Sequence, residues 1–157
     1  MAYRHTASFG KRQEFVAIAE LLRRGFDVYM PLVDDQQIDC VIRQDTEKGP
    51  VYQDVQIKAR PKDCDLKNFG RFAGMRISDP RSNYFFIFYS ESVNSYWVIP
   101  SLDLVRVASR NRSGENKGKY TIVLATYSKK TGETKPRPVF DKYRGNVDLL
   151  RTDENSD

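Results

Sequence analysis

The chain is poor in sulfur and in imidazole. Its 157 residues include two cysteines, Cys40 and Cys64, and one histidine, His5. A structural zinc site needs more ligands than these three supply. Two thiols in a chain of this size are expected to stay free rather than form a disulfide framework. His5 sits in an N-terminal stretch expected to be mobile, which argues against a Ser-His-Asp triad or a histidine-based nuclease site. Neither a Walker A pattern nor a dinucleotide-binding glycine run is present. No apolar run approaches the roughly 18 residues that span a bilayer. The start, "MAYRHTASFGKRQEF", lacks the apolar core of a signal peptide. The expectation is a cytoplasmic chain with no membrane partner.

What is present suits one domain with its own core. Hydrophobic residues make up 39% and charged residues 30%, polar for a globular chain but too aromatic and β-branched for disorder. The charge is uneven. Residues 1–105 balance, residues 106–144 carry 11 Lys/Arg against 3 Asp/Glu, and residues 145–157 carry 1 against 4. A basic block of this kind is either a polyanion-binding surface or a set of solvated loops. The chain reads as a core over about 8–100, basic additions over about 101–150, and an acidic tail over 151–157.

Periodicity places the elements. "KRQEFVAIAELLRRG" predicts a first helix, with Phe15, Ile18, Ala19 and Leu22 as the buried stripe. Ser8 is its expected N-cap and Gly25 its stop. "FDVYMPLV", "QIDCVIRQ" and "VYQDVQIKAR" read as three strands, the last two joined as an antiparallel hairpin through "TEKGP". "DLKNFGRFAGMRI" predicts a second helix with Leu66, Phe69, Ala73 and Ile77 on one side, weakened by two glycines. "NYFFIFYS" reads as a buried strand, "SYWVIP" as another, and "SLDLVRVAS" as a short helix. "KYTIVLATYS" suits a strand or a mobile segment, and "VFDKYRGNVDLL" a closing amphipathic element. The fold class is α/β (α+β), a central mixed sheet flanked by helices.

Three features carry the candidate chemistry. Glu14 lies within about 60° of the centre of the expected helix stripe, where a carboxylate is costly without a partner or a metal. Asp39 interrupts an apolar strand. Gln56 and Lys58 share one face of the third strand, about 6.6 Å apart at ~3.3 Å per residue. Each alone has an ordinary structural reading: a helix-edge carboxylate, a half-exposed strand residue beside an Arg, a solvated sheet edge. The hairpin, however, would bring Asp39, Gln56 and Lys58 to one patch.

The order Glu, Asp, Gln-x-Lys on helix, strand and adjacent strand resembles the PD-(D/E)xK nuclease superfamily. The resemblance covers roughly residues 8–100, through "GKRQEFVAIAELLRRGFDVYMPLVDDQQIDCVI" and "VYQDVQIKAR". Ile38 stands where the family name has Pro, and Gln56 where Glu or Asp is usual. The Gln-x-Lys form resembles that of some homing endonucleases. "FDKYRGNVDLL" is also similar to the Phe-x-x-Tyr tail of some small members. The resemblance implies a restriction-endonuclease-like core of order α-β-β-β-α-β with C-terminal additions, and Mg²⁺-dependent hydrolysis of DNA phosphodiesters, with Mn²⁺ as a substitute. It implies Asp39 as the main anionic ligand, with the Gln56 amide oxygen, the Ile57 carbonyl and Glu14 completing the set, and Lys58 orienting the attacking water. Asp34 and Asp35 are either assistants or an exposed turn.

For the DNA backbone, the candidates are Arg60 and Lys62 beyond the third strand, and Arg110, Arg112, Lys117, Lys129 and Lys130 in the basic block. Tyr84, Phe85, Phe86, Phe88, Tyr96 and Trp97 read as core. Cutting both strands with one site per chain would favour a homodimer or higher oligomer. Two other readings stay open: a nucleic-acid-binding module with a weakened metal site, and an interaction protein whose charges only form ion pairs.

Overall fold

The computed structural model describes residues 3–33 and 36–152. Helix α1 (Tyr3–Arg23) is followed by strands β1 (Asp27–Tyr29), β2 (Cys40–Thr46), β3 (Gly49–Arg60), β4 (Arg71–Met75), β5 (Tyr84–Ser90) and β6 (Ser95–Pro100). Then come α2 (Ser101–Val107), β7 (Ser109–Arg110), β8 (Tyr120–Val123), β9 (Ala125–Tyr127) and β10 (Thr134–Pro136). Two 3-10 helices, Pro138–Tyr143 and Val147–Leu150, close the chain. Among the described residues no helix is long and apolar enough to cross a membrane.

The main sheet has five strands in the order β1-β2-β3-β5-β6. It is mixed: β3 and β5 run parallel, and the other pairs are antiparallel. The β2–β3 hairpin forms as the turn residues require, with Gly49 at φ 112° where a side chain would be strained. A parallel neighbour needs a long return, and residues 61–83 provide it between β3 and β5. That return carries β4 into a second, three-stranded sheet of order β4-β8-β7.

The sheet separates two cores. Ala17, Ile18, Leu21, Cys40, Ile42, Val55, Ile57 and Ile87 pack between α1 and one face. Phe72, Met75, Tyr84, Phe86, Phe88, Trp97, Leu104 and Ile122 fill the space between the other face, the second sheet and α2. The mixed α+β class expected from periodicity is the class observed, and the two faces are covered unequally, one by a helix and one mainly by strands.

Four local expectations are corrected. Residues 65–77 form turns and β4 instead of a second helix, so the strict order α-β-β-β-α-β does not hold. Gly70 is pressed against the Ala125 backbone, with no room for a Cβ, and Gly74 has φ 68°; neither condition suits a helix, and pairing Phe72 with Ile122 buries both. Second, α1 begins at Tyr3, so Ser8 lies inside it rather than capping it, and His5 falls within the helix rather than in a mobile stretch. Third, the buried stripe of α1 is Ala17, Ile18 and Leu21 with Phe9, while Phe15, Ala19 and Leu22 face outward. Two apolar stripes exist on this helix, and only packing chose between them. Fourth, Leu66 and Ala73 are exposed. Gly25, at φ 86°, ends α1 as expected: its N–H bonds to Leu22 O at 3.0 Å and that of Phe26 to Leu21 O at 3.1 Å.

Candidate active site

The β2–β3 register decides which side chains meet. Cys40 stands opposite Val55, the first pair of the register, and the preceding Asp39 N–H also bonds to Val55 O, at 2.8 Å, so the regular ladder stops at Cys40. Asp39 sits beside Val55 at this irregular end, and its charge reaches the Tyr84 hydroxyl, which lies 3.3 Å from Gln56 Oε1. On β3, Gln56 and Lys58 share a face by alternation. That face is the one turned away from α1, since Val55 and Ile57 pack toward the helix. The Asp39 carboxylate accepts the Ile57 N–H at 2.6 Å, which locks it to the backbone between Gln56 and Lys58. Gln56 is buried and Lys58 half-buried.

Glu14 approaches from the other side. Its position on α1 aligns with the buried residues Ala17, Ile18 and Leu21, so the corrected stripe sets it closer to the packed face than the sequence pattern suggested. Lys11 pairs with its carboxylate at 2.6 Å. Cys40 links the two acids. Its thiol is pushed up to about 12, first by burial and then by the negative charges of Asp39 and Glu14. Both carboxylates therefore act on the same buried atom, at the end of the sheet where β2 begins.

That donor set fits a hard divalent cation. Among the described residues no cluster of three or more His, Cys, Asp and Glu side chains forms a metal cage. Mg²⁺ does not need one, since it keeps several waters and takes one or two carboxylates with neutral oxygens. A carboxylate offers about four lone-pair sites, and the Ile57 bond uses one of those on Asp39. The Gln56 amide and the Ile57 carbonyl are the neutral donors on the same strand. Asp34 and Asp35 lie outside the described residues.

One contributor was hidden in an apolar run. Tyr84 reads as core, and its ring is buried. Its hydroxyl nevertheless lies 3.3 Å from Gln56 Oε1 and 3.1 Å from the Gln37 carbonyl. The hydroxyl is pushed up to about 12 by burial, helped by the charges of Asp39 and Asp54 and opposed by Arg81. Arg81 stacks 4.6 Å from the ring centroid and pairs with Asp54. Ser101 Oγ accepts the Arg81 N–H at 3.0 Å and donates to Arg81 O at 2.8 Å, which fixes that loop. Alternation on β3 placed Asp54 beside Gln56; nothing in "NYFFIFYS" announced the polar role of its first aromatic.

The basic candidates divide by environment. Arg60 is largely engaged within the protein: its Nε donates to Arg71 O at 2.9 Å, its guanidinium stacks on Phe72, and burial lowers its pKa. Lys62 is exposed, with its backbone N–H bonded to Glu91. Arg110, Asn111, Arg112, Lys117 and Gly118 line an open depression of about 480 Å³ in the β7–β8 connection. Arg110 stacks 5.8 Å from Tyr120 and donates to Gly118 O, which holds this loop in shape. Lys129 and Lys130 project from the exposed tip of the β9–β10 hairpin.

No family model matches the chain, and no curated protein matches it. A solved structure does share its fold: that of the bacterial homing endonuclease I-Ssp6803I superposes with a TM-score of 0.60 over 96% of this chain and 93% of that one, at 20% sequence identity.

Proposed function

We propose that this protein is a divalent-metal-dependent DNA endonuclease of the PD-(D/E)xK type. The observation that carries the reading is the bond of the Asp39 carboxylate to the Ile57 N–H, between Gln56 and Lys58, which share one face of β3. The shared fold with a homing endonuclease supports it. Asp39 is the principal ligand, with the Gln56 amide oxygen, the Ile57 carbonyl and Glu14 around it. Bound Mg²⁺ or Mn²⁺ supplies Lewis acidity toward the phosphate and a more acidic water. Lys58 orients the attacking water and balances charge developing on the phosphate oxygens. Arg110, Arg112, Lys117, Lys129 and Lys130 hold the DNA backbone without reading sequence.

A second reading is favoured by one feature. Gln56 contributes no charge where a carboxylate would, which suits a module that holds DNA with a weak metal site. Cleavage assays separate the two. Supercoiled, linear and branched DNA incubated with Mg²⁺ or Mn²⁺ should be cut by the wild type. Asp39→Ala and Lys58→Ala should each lose about a hundredfold or more in rate. Cleavage that persists in both variants would come from a contaminant and would remove the catalytic assignment. Tight DNA binding with no cleavage on any substrate would establish the binding module instead.

A further inference from the structure

We propose that Tyr84 is a positioning residue for Gln56, selecting the amide orientation that leaves the Gln56 oxygen for a divalent cation. The proposal rests on the metal-centre reading above.

A proton count decides the orientation of the amide. A tyrosine hydroxyl has one proton and can also accept. Two acceptor positions lie within its reach, the Gln37 carbonyl at 3.1 Å and the Gln56 amide oxygen position at 3.3 Å. A backbone carbonyl can only accept, so the single proton belongs to Gln37 at the shorter distance. The hydroxyl oxygen then faces Gln56 as an acceptor. Two acceptors facing one another at 3.3 Å repel, whereas an amide NH₂ at the same place donates. The two ends of a primary amide are nearly the same size, so turning it about its last torsion exchanges them at this contact. The stable arrangement gives Nε2 to Tyr84 and turns Oε1 away from it.

A carboxylate at position 56 would need no such device, because both its ends are acceptors with charge. An amide does need it, because presenting NH₂ to a cation is repulsive. The hydroxyl is held to the task from three directions. Gln37 takes its proton, the Arg81 guanidinium stacks on the ring, and Asp54 and Ser101 fix Arg81.

A double-mutant cycle on the full chain tests this. Mn²⁺ is titrated calorimetrically into wild type, Tyr84→Phe, Gln56→Glu, and the double variant. Tyr84→Phe should weaken Mn²⁺ binding about fivefold in the Gln56 background, the equivalent of one neutral hydrogen bond. In the Gln56→Glu background the same change should not weaken binding, because the glutamate has no wrong end and the hydroxyl there only repels it or competes with the cation for its charge. Near-parental Mn²⁺ binding by the double variant also shows that Phe is tolerated at position 84. An equal loss in both backgrounds, or no loss beside Gln56, overturns the positioning role while leaving the metal centre in place. Absence of Mn²⁺ binding by both wild type and Gln56→Glu overturns the metal centre and this proposal together.

Discussion

Asp39 and Ile57 meet across the end of the β2–β3 ladder, the Asp39 carboxylate accepting the Ile57 amide N–H at 2.6 Å. The side chain takes over bonding where β2 has not yet begun. The carboxylate therefore has a structural duty besides any chemistry, and the two duties can be separated. Asn keeps an acceptor for Ile57 but loses the charge. Asp39→Asn should keep thermal stability close to wild type while Mn²⁺ binding and cleavage are lost. Asp39→Ala should lose both, with stability falling by about 1–3 kcal/mol for an orphaned amide. Equal stability of the two variants in denaturant melts would show that the Ile57 bond contributes nothing.

Adjacent leucines on α1 should behave oppositely. Leu21 is 2% exposed and Leu22 53%. Leu21→Ala should cost about 2–5 kcal/mol in chemical denaturation, whereas Leu22→Ala should stay within about 0.5 kcal/mol. Similar costs at the two positions would mean that α1 presents its other stripe to the sheet.

Gly70 should not accept a methyl group. A Cβ there would lie 2.5 Å from the Ala125 carbonyl oxygen and 2.8 Å from its nitrogen, and backbone atoms cannot swing aside. Gly70→Ala should destabilise by about 1–3 kcal/mol or more. Gly10→Ala, in a helix with nothing within 4 Å, should stabilise by about 0.5–1 kcal/mol. Denaturant titrations of the two variants would expose an error in either sign.

Stability should fall at alkaline pH. The Cys40 thiol has an ordinary value of 9.0 when unfolded and about 12 when folded. Between these values the folded chain keeps a proton that the unfolded chain releases, so each pH unit favours unfolding by about 1.4 kcal/mol. The contribution is fully present below pH 9 and is lost as pH rises toward 12. Cys40→Ala should flatten this part of the pH–stability curve, and alkylation of the native protein at neutral pH should modify Cys64 while sparing Cys40. Rapid Cys40 labelling without unfolding would contradict its burial.

DNA affinity should fall steeply with salt. Each phosphate contact contributes a slope of about −0.9 to log K against log salt on duplex DNA. Replacing Lys129 and Lys130 together with Ala should reduce the slope by up to about 2, and Arg112 with Lys117 should do likewise from the β7–β8 connection. Unchanged slopes in both double variants would move the DNA to another surface.

Much of the candidate site was legible because strand alternation is a rigid rule. Gln56 and Lys58 had to share a face, and "TEKGP" had to turn the chain so that Asp39 returned beside them. Glu14 stood out because a carboxylate near an apolar stripe needs a reason. The stripe itself is ambiguous in the sequence: Phe15 and Leu22 are as apolar as Ala17 and Leu21, and the choice depends on which face the sheet covers. Tyr84 was invisible as a polar group because its ring belongs to the core and only its hydroxyl reaches Gln56.

The sequence by itself determined the strands of the main sheet, the β2–β3 hairpin, and the shared face of Gln56 and Lys58, all of which follow from local periodicity and turn chemistry. Tertiary structure alone decided that residues 71–75 join a second sheet, because the fit of Gly70 against Ala125 and of Phe72 beside Ile122 joins residues about 50 apart in the chain. It alone also decided that Glu14 and Asp39 act on one buried thiol and that Tyr84 reaches Gln56. Those contacts depend on how a helix and distant strands pack, and no local pattern encodes them.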